Sequence, residues 1–517
     1  MDSTLPPLVQ QMLQPEFYPH PVQEPIALIQ THVSFVFITG DWVYKLKKPV
    51  NFGFLDYSTL ERRKGFCDQE IALNQRSAAE LYVGVVPIIQ TGDRYQLAEM
   101  GEATQTEAEN SAVEYAVKMH QFPQENLMSA RFDRGEITEA DIIELARVVA
   151  EFHRTAPTSD YINSFGEIPQ IKVSFDENFQ QTTGYIGGPQ TQAQFDLTQS
   201  WTETFFAENG ALFQSRVAGG FIRNGHGDLH LGNICWLNDR PLLFDCIEFN
   251  EPFRFVDTIY DVAFLAMDLE ARGRIDLANA FVNEYAERSG DWAGLALLPL
   301  YLSRQSYVRA KVTSFLLNDP AIPEADRAAA HDRAAAYYRQ AASYAQPRSG
   351  QVILMCGLSG SGKSTVARQL ARQTNGIQIR SDAVRKHLGA VPLDQKGPQS
   401  LYSAEMTAKT YDHLLQLGLD LASRGETVIL DAKYDRQALR QTVIAATQER
   451  ELDLEIVHCQ APIEVLRDRL NQRTGDIADA TADLLAAQVA AFEAFSNEER
   501  LWVREVDTAR GGDLKLQ

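Results

Sequence analysis

The stretch Val352-Ile353-Leu354-Met355-Cys356-Gly357-Leu358-Ser359-Gly360-Ser361-Gly362-Lys363-Ser364-Thr365 decides the reading of the C-terminal half. Its apolar start reads as a buried strand, and Thr365-Val366-Ala367-Arg368-Gln369-Leu370 reads as a helix. Between them, Gly357 to Ser364 fits G-x-x-x-x-G-K-[ST] in full. Such a loop suits phosphate, because its glycines let backbone N–H groups curl around the oxygens while the helix N-terminus adds partial positive charge. Lys363 is placed to bridge β- and γ-phosphates, and the Ser364 hydroxyl to hold Mg²⁺. Gly357, Ser359, Gly360, Ser361, Gly362, Lys363, Ser364 and Thr365 are therefore the expected nucleotide-binding residues.

Downstream the pattern alternates: a strand over 352–356, a helix over 363–373, a strand over 427–431, a helix near 436–449 and a strand over 454–459. That alternation predicts a parallel α/β sheet. Asp431 ends the second of these strands, where a carboxylate can hold Mg²⁺. A short strand, Ile377 to Ile379, leads into Arg380-Ser381-Asp382. Asp382 could accept a proton from a substrate hydroxyl there, while Arg380 and Arg385 hold an anionic group; a helix N-cap is compatible with that role. Pro462 to Arg473 predicts a helix carrying Arg467, Arg469 and Arg473. Positions 469 and 473 are four apart, so they share a face and could close over the phosphates as a lid. From Gln351 onward these segments resemble the small P-loop (Walker A) kinases that include zeta-toxin-like, gluconate-kinase-like, polynucleotide-kinase-like and AAA-type ATP-binding proteins. The resemblance implies catalytic roles for Lys363, Asp382, Arg469 and Arg473, with Ser364 and Asp431 holding Mg²⁺.

A second constellation lies in the N-terminal part. His226-Gly227-Asp228-Leu229-His230-Leu231-Gly232-Asn233 is followed by Leu242-Leu243-Phe244-Asp245. The spacing is that of a kinase catalytic loop: Asp228 orients or deprotonates the acceptor hydroxyl, and Asn233 and Asp245 bind Mg²⁺. Ligands that are all oxygen suit such a hard cation. His226 reads as a brace for the loop rather than a metal ligand. Upstream, Lys45 lies on the strand Trp42 to Leu46, and Glu70 on the following helix, Gly65 to Ala79, could pair with it. Lys47 is a rival for the phosphate-binding role, since two residues on it shares the strand face. From about residue 30 to 270 the chain resembles aminoglycoside-phosphotransferase-like kinases. That resemblance implies a β-rich N-lobe, a hinge near Tyr115 to Phe122, a helical C-lobe, and a structural helix carrying Asp257 and Asp261. The chain departs from the kinase pattern in one respect: no G-x-G-x-x-G lies between Val33 and Leu46, only Thr39-Gly40-Asp41 at a turn.

The expected architecture is thus an α+β bilobal protein-kinase-like N-terminal domain (1–345, N-lobe about 30–120, helical C-lobe about 121–345) and an α/β parallel-sheet P-loop domain (351–517). An alanine-rich helix over Glu324 to Ala345 ends at Gln346-Pro347-Arg348-Ser349-Gly350, a linker. The 517 residues allow such a division and a large core. Five scattered cysteines without a C-x-x-C pair point to a reducing compartment. The N-terminus shows no signal-peptide pattern and no apolar run spans a bilayer, so a cytoplasmic protein is expected. A net charge of −21 argues against nucleic acid and anionic membrane as partners. The expected function is an ATP- and Mg²⁺-dependent phosphotransferase with two kinase-type domains, acting on hydroxyl groups of small molecules. The alternatives are a regulatory N-terminal pseudokinase, or a nucleotide-dependent switch or polynucleotide end kinase.

Overall fold

The computed structural model describes residues 5–98, 111–319 and 322–509, so Met1 to Thr4 of the stretch read for a signal peptide lie outside it. Two compact units emerge: Met1–Thr138, Glu151–Ser174 and Asn209–Leu265 form one, and Glu139–Ala150, Phe175–Glu208 and Ala266–Gln517 the other.

The first unit is built on a six-stranded antiparallel sheet: β1 (Ala27–Gln30), β2 (Ser34–Ile38), β3 (Trp42–Lys47), β4 (Tyr82–Thr91), β5 (Arg94–Leu97) and β6 (Ala112–His120), in the order β1-β2-β3-β6-β4-β5. Alternation sorts its faces. Phe35, Phe37, Tyr44, Leu46 and Ala116 join Val9 and Met12 of the helix Pro7–Met12 in one core. Tyr115, Val117 and Met119 bury the opposite face beneath the helix Leu60–Ala78, whose N-terminus is capped by Thr59. The segment expected as a hinge is therefore strand as far as His120, held between β3 and β4, because both of its faces are buried. The chain leaves the sheet only at Gln121. Two short ladders follow: β7 (Ile222–Asn224) pairs with β10 (Phe255–Asp257), and β8 (Ile234–Leu237) with β9 (Arg240–Leu243).

In the second unit β11 (Gln351–Cys356), β12 (Ile377–Arg380), β13 (Thr427–Asp431), β14 (Asp453–Gln460) and β15 (Val503–Asp507) form a parallel sheet in the order β12-β13-β11-β14-β15. Strands β11, β12 and β13 are buried almost throughout, as expected where helices cover both faces. Asp431 stands beside Arg380 on one side and Met355 on the other, so the register gathers these residues at the carboxyl end of the sheet. That end is where open α/β sheets bind ligands. A helical pair, Leu298–Phe315 and Glu324–Tyr344, accompanies the sheet in this unit. Ala334 and Ala341 are fully buried there beside Tyr307 and Tyr338, which explains the alanine bias as close helix packing.

Candidate active sites

In the first unit the helix Leu60–Ala78 holds the Asp245 segment along one face. Glu70, Asn74 and Ser77 recur at helical spacing. Asn74 Oδ1 accepts from the Cys246 N–H at 2.9 Å, and Ser77 Oγ donates to Leu243 O at 2.7 Å. Glu70 is fully buried and takes both lysines: Lys45 Nζ lies 2.8 Å from Oε1 and Lys47 Nζ 2.7 Å from Oε2. Strand periodicity had left these two open, and beyond Glu70 their surroundings differ. Lys45 also reaches Asp245 Oδ1 at 2.6 Å, whereas Lys47 is sealed against Glu248 and the Tyr57 hydroxyl. The Lys45 side chain keeps 16% exposure and that of Asp245 42%, against 1% for Lys47. Lys45 is the lysine that faces the open site. Burial opposes its charge, but Asp245 and Glu70 outweigh burial and hold its ammonium group well above the ordinary range. Burial likewise works against the Glu70 carboxylate, yet the two lysines bring it down to about 2.

The loop opposite is tied by side chains. Asn233 Nδ2 donates to Asp228 O and to Asp228 Oδ2, each at 3.0 Å, which turns the Asn233 carbonyl oxygen the other way. His226 braces the loop as expected: it is fully buried, and its ring contacts Phe244 O at 2.9 Å. Asp261 accepts from the backbone N–H groups of His226 and Gly227 at 2.7 and 2.8 Å. Asp257 pairs with Arg216 at 2.7 Å but closes β10, so of the two aspartates expected on the structural helix only Asp261 lies on it, within Thr258–Ala271; both serve the scaffold. Gly227 has φ +84°, and a Cβ there would fall 2.5 Å from Phe253 O, so no other residue fits without displacement. Asp245 itself sits at φ +63°, the left-handed region that Asp tolerates better than most residues.

In the second unit the phosphate loop joins β11 to the helix Lys363–Thr374, with Gly362 as N-cap and Ser364 and Thr365 in the first turn. Gly357 has φ +137°, and a Cβ there would meet Cys459 O at 2.4 Å. Lys363 Nζ donates to Leu358 O at 2.8 Å, and burial lowers its pKa against the pull of Asp431. Among the described residues Ser361 Oγ, itself buried, finds no hydrogen-bond partner. Side chains from outside the loop hold it in place. Gln488 takes the Ser359 N–H at 3.0 Å, Arg469 Nη1 donates to Gly360 O at 3.3 Å, and Thr508 Oγ1 donates to Ser361 O at 2.8 Å. Asp431 Oδ2 accepts from Gln378 Nε2 at 2.9 Å. Asp382 is the second residue of the helix Ser381–Leu388, with Arg380 at the N-cap. Burial pushes its carboxyl up, as do Asp431 and Asp476, against Arg380 and Arg385.

The arginine pair behaves differently from the expectation of a shared face. The helix ends at Gln472, and Arg473 is an extended C-cap whose guanidinium donates to Ala480 O. Only Arg469 faces the phosphate loop. Sequence reasoning missed Glu248, Gln378, Gln488 and Thr508, which act through contacts distant in the chain and carry no local signal.

Both sites fit a magnesium-bound triphosphate. The first offers the Asp245 carboxylate and the free face of the Asn233 amide. The second offers a loop in which a Cβ at Gly357 would clash, an unpartnered hydroxyl at Ser361, and the Asp431 carboxylate. Among the described residues no group of three or more His, Cys, Asp or Glu side chains could hold a metal ion by itself. Mg²⁺ is commonly held by one or two carboxylates plus phosphate oxygens rather than by an all-protein cage. Among the described residues no helix is long and apolar enough to cross a membrane.

Comparison with known proteins finds two families along the chain. A family described as "Phosphotransferase enzyme family" matches residues 70–298, and one described as "AAA domain" matches residues 352–495. The chain is 30% identical over 477 residues to an uncharacterized protein of Mycobacterium tuberculosis, covering 91% of each. It is 32% identical over 155 residues to an adenylyl-sulfate kinase of Chloroflexus aurantiacus, covering 29% of this chain and 74% of that one. Among solved structures, a choline/ethanolamine kinase family protein from Mesorhizobium loti aligns at 9% identity and TM-score 0.38, covering 66% of this chain and 99% of that one. The chain therefore belongs to the same family as the mycobacterial protein, and in this chain an aminoglycoside-phosphotransferase-like kinase segment precedes an AAA-type P-loop kinase segment.

Proposed function

We propose that the chain is a cytoplasmic enzyme with two ATP- and Mg²⁺-dependent phosphotransferase sites, each moving a γ-phosphoryl group to a hydroxyl of a small molecule. The carrying observation is that in each unit a lysine meets the charge of a carboxylate: Lys45 Nζ lies 2.6 Å from Asp245 Oδ1, and Asp431 pulls on the buried ammonium of Lys363. Asp228, held by Asn233, and Asp382 are the further aspartates of this reading. Magnesium-bound ATP supplies the phosphoryl group and screens its charge. In the first site Lys45 holds the α- and β-phosphates, Asn233 and Asp245 hold the metal, and Asp228 takes the hydroxyl proton as the new O–P bond forms and the β–γ bridge breaks. In the second, Lys363 and the loop amides from Gly357 to Thr365 hold the phosphates. Ser364 and Asp431 hold the metal, Asp382 takes the proton, and Arg469 neutralises charge on the transferred group. The domain division in this reading is 1–345 and 351–517, with 346–350 as linker. Nucleic acid and membrane are not partners in it.

Incubation of the full chain with γ-labelled ATP and a metabolite panel tests the proposal. Asp228→Asn and Asp382→Asn are each expected to abolish a different set of labelled products. Full labelling by the double variant would overturn the assignment. One observation favours a second reading, in which the first unit senses nucleotide without transferring phosphate. The turn between β1 and β2 is only Thr31-His32-Val33, too short and glycine-free to wrap phosphates. Unchanged products in Asp228→Asn would select that reading.

A further inference from the structure

Strand β12 is the outer strand of the parallel sheet, and the helix Ile275–Ser289 of the same compact unit meets its edge. Asn279, Asn283 and Glu287 recur every four residues, a rise of about 6 Å per step. Alternate residues of a strand advance by about 6–7 Å, so this stripe matches Gly376, Gln378 and Arg380 one for one. The pairing follows that match. Asn279 Nδ2 and Asn283 Nδ2 donate to Gly376 O at 2.9 and 3.0 Å, and Asn283 Oδ1 accepts from the Gln378 N–H at 2.6 Å. Glu287 Oε1 lies 3.3 Å from Arg380 Nη1.

Gln378 and Arg380 then turn to the candidate metal carboxylate. Gln378 Nε2 donates to Asp431 Oδ2 at 2.9 Å, and Arg380 Nε stands 3.9 Å from the same oxygen. Another nitrogen of Arg380 reaches Asp476 Oδ1 at 2.7 Å. Covering a sheet edge accounts for the asparagines, but not for a buried ion pair, which is weak as a source of stability because both charges must be desolvated. Nor is the seam filled by apolar packing. A cavity of about 40 Å³ lies there, lined by Asn279, Asn283, Glu287, Gln378 and Arg380 among others.

We propose that Asn283 and Glu287 are positioning residues of the P-loop site: through Gln378 and Arg380 they orient the Asp431 carboxylate and so set the affinity of that site for Mg²⁺. Both lie outside residues 352–495 and inside the 70–298 match, so a helix of the phosphotransferase-family segment completes the other kinase's metal site. This rests on the reading of Asp431 as a metal ligand of a nucleotide site.

The test is calorimetric titration of ATP into the full chain at stepped Mg²⁺ concentrations, in an Asp245→Asn background that removes the first site's metal carboxylate. Glu287→Gln and Asn283→Ala are each expected to raise the Mg²⁺ midpoint about tenfold, while ATP affinity without Mg²⁺ changes less than about twofold. Glu287→Asp, which keeps the carboxylate, is expected to recover most of the shift. The two variants act on different strand residues, so one remains informative if melting shows that the other has lost its fold. An unchanged midpoint, or an equal loss of affinity with and without Mg²⁺, overturns the positioning role. A parent protein with no Lys363-dependent, Mg²⁺-dependent ATP binding overturns the nucleotide-site reading itself, and the proposal with it.

Discussion

The two candidate sites solve one problem with different materials. Around Lys45 the cage is made of side chains: two lysines, Glu70, Glu248 and Asp245 hold one another, and most of them are buried. Around Lys363 it is made of backbone, a glycine-rich loop with Gly357, Gly360 and Gly362 at positive φ that runs into a helix N-terminus. A side-chain cage is part of the core, so its members cannot be removed without structural cost. A backbone cage can lose its lysine and keep its shape.

The largest expected effect breaks the first cage. Glu70→Ala leaves two buried ammonium groups without their shared partner, and loss of one member of a buried pair costs about 3–5 kcal/mol. Denaturant unfolding of the full chain should show that loss, with hydrogen exchange rising in β3 and around 245–248. The same group gives a pH test. Its pKa falls to about 2 in the fold, from an unfolded value near 4.3, so its stabilisation is complete above about 4.3 and fades as pH drops toward 2. Glu70→Gln should flatten that acid limb.

Next comes Lys363→Ala, expected to reduce phosphoryl transfer by the second site about 10²–10³-fold, as for removal of one transition-state donor. Melting temperature should move little, and a large drop would dissolve the contrast between the cages. Gly227→Ala should cost about 1–3 kcal/mol for the left-handed backbone alone, read in the same unfolding assay, because the catalytic loop of the first site does depend on backbone at that point. The smallest effect concerns proton transfer. As the base of the proposed reaction Asp382 would act deprotonated, and its carboxyl is raised, so the rate of the second site should fall on acidification at a pH above the ordinary aspartate range. Arg385→Gln removes a cation that lowers it, and should move that limb to higher pH.

What sequence could reveal follows the same division. The phosphate loop is contiguous, and its strand and helix stand within a residue of where periodicity put them. Asp228, Asn233 and Asp245 were legible because a loop and a hairpin keep them close in the chain. The choice between Lys45 and Lys47 was not, since both share a strand face and both reach Glu70; the decision is made by Asp245 and Glu248, some 200 residues away. Resemblance puts a hinge near Tyr115 to Phe122, although as far as His120 the alternation is that of a strand buried on two faces. Arg473 was placed on a helix that stops one residue short of it. The stripe of Asn279, Asn283 and Glu287 carries no motif, because its partners belong to a strand about a hundred residues on.

Thr508 also governs where this polypeptide can be cut. It follows β15, takes Gln460 O with its own N–H at 2.9 Å, and ties down the phosphate loop through Ser361 O. A fragment trimmed at residue 495 would discard that tether together with the last strand, and would expose the flank of β14 as a template for intermolecular pairing. Expression of the C-terminal half should therefore run past Ala509, or aggregation of a shortened piece will be mistaken for an inability to bind nucleotide.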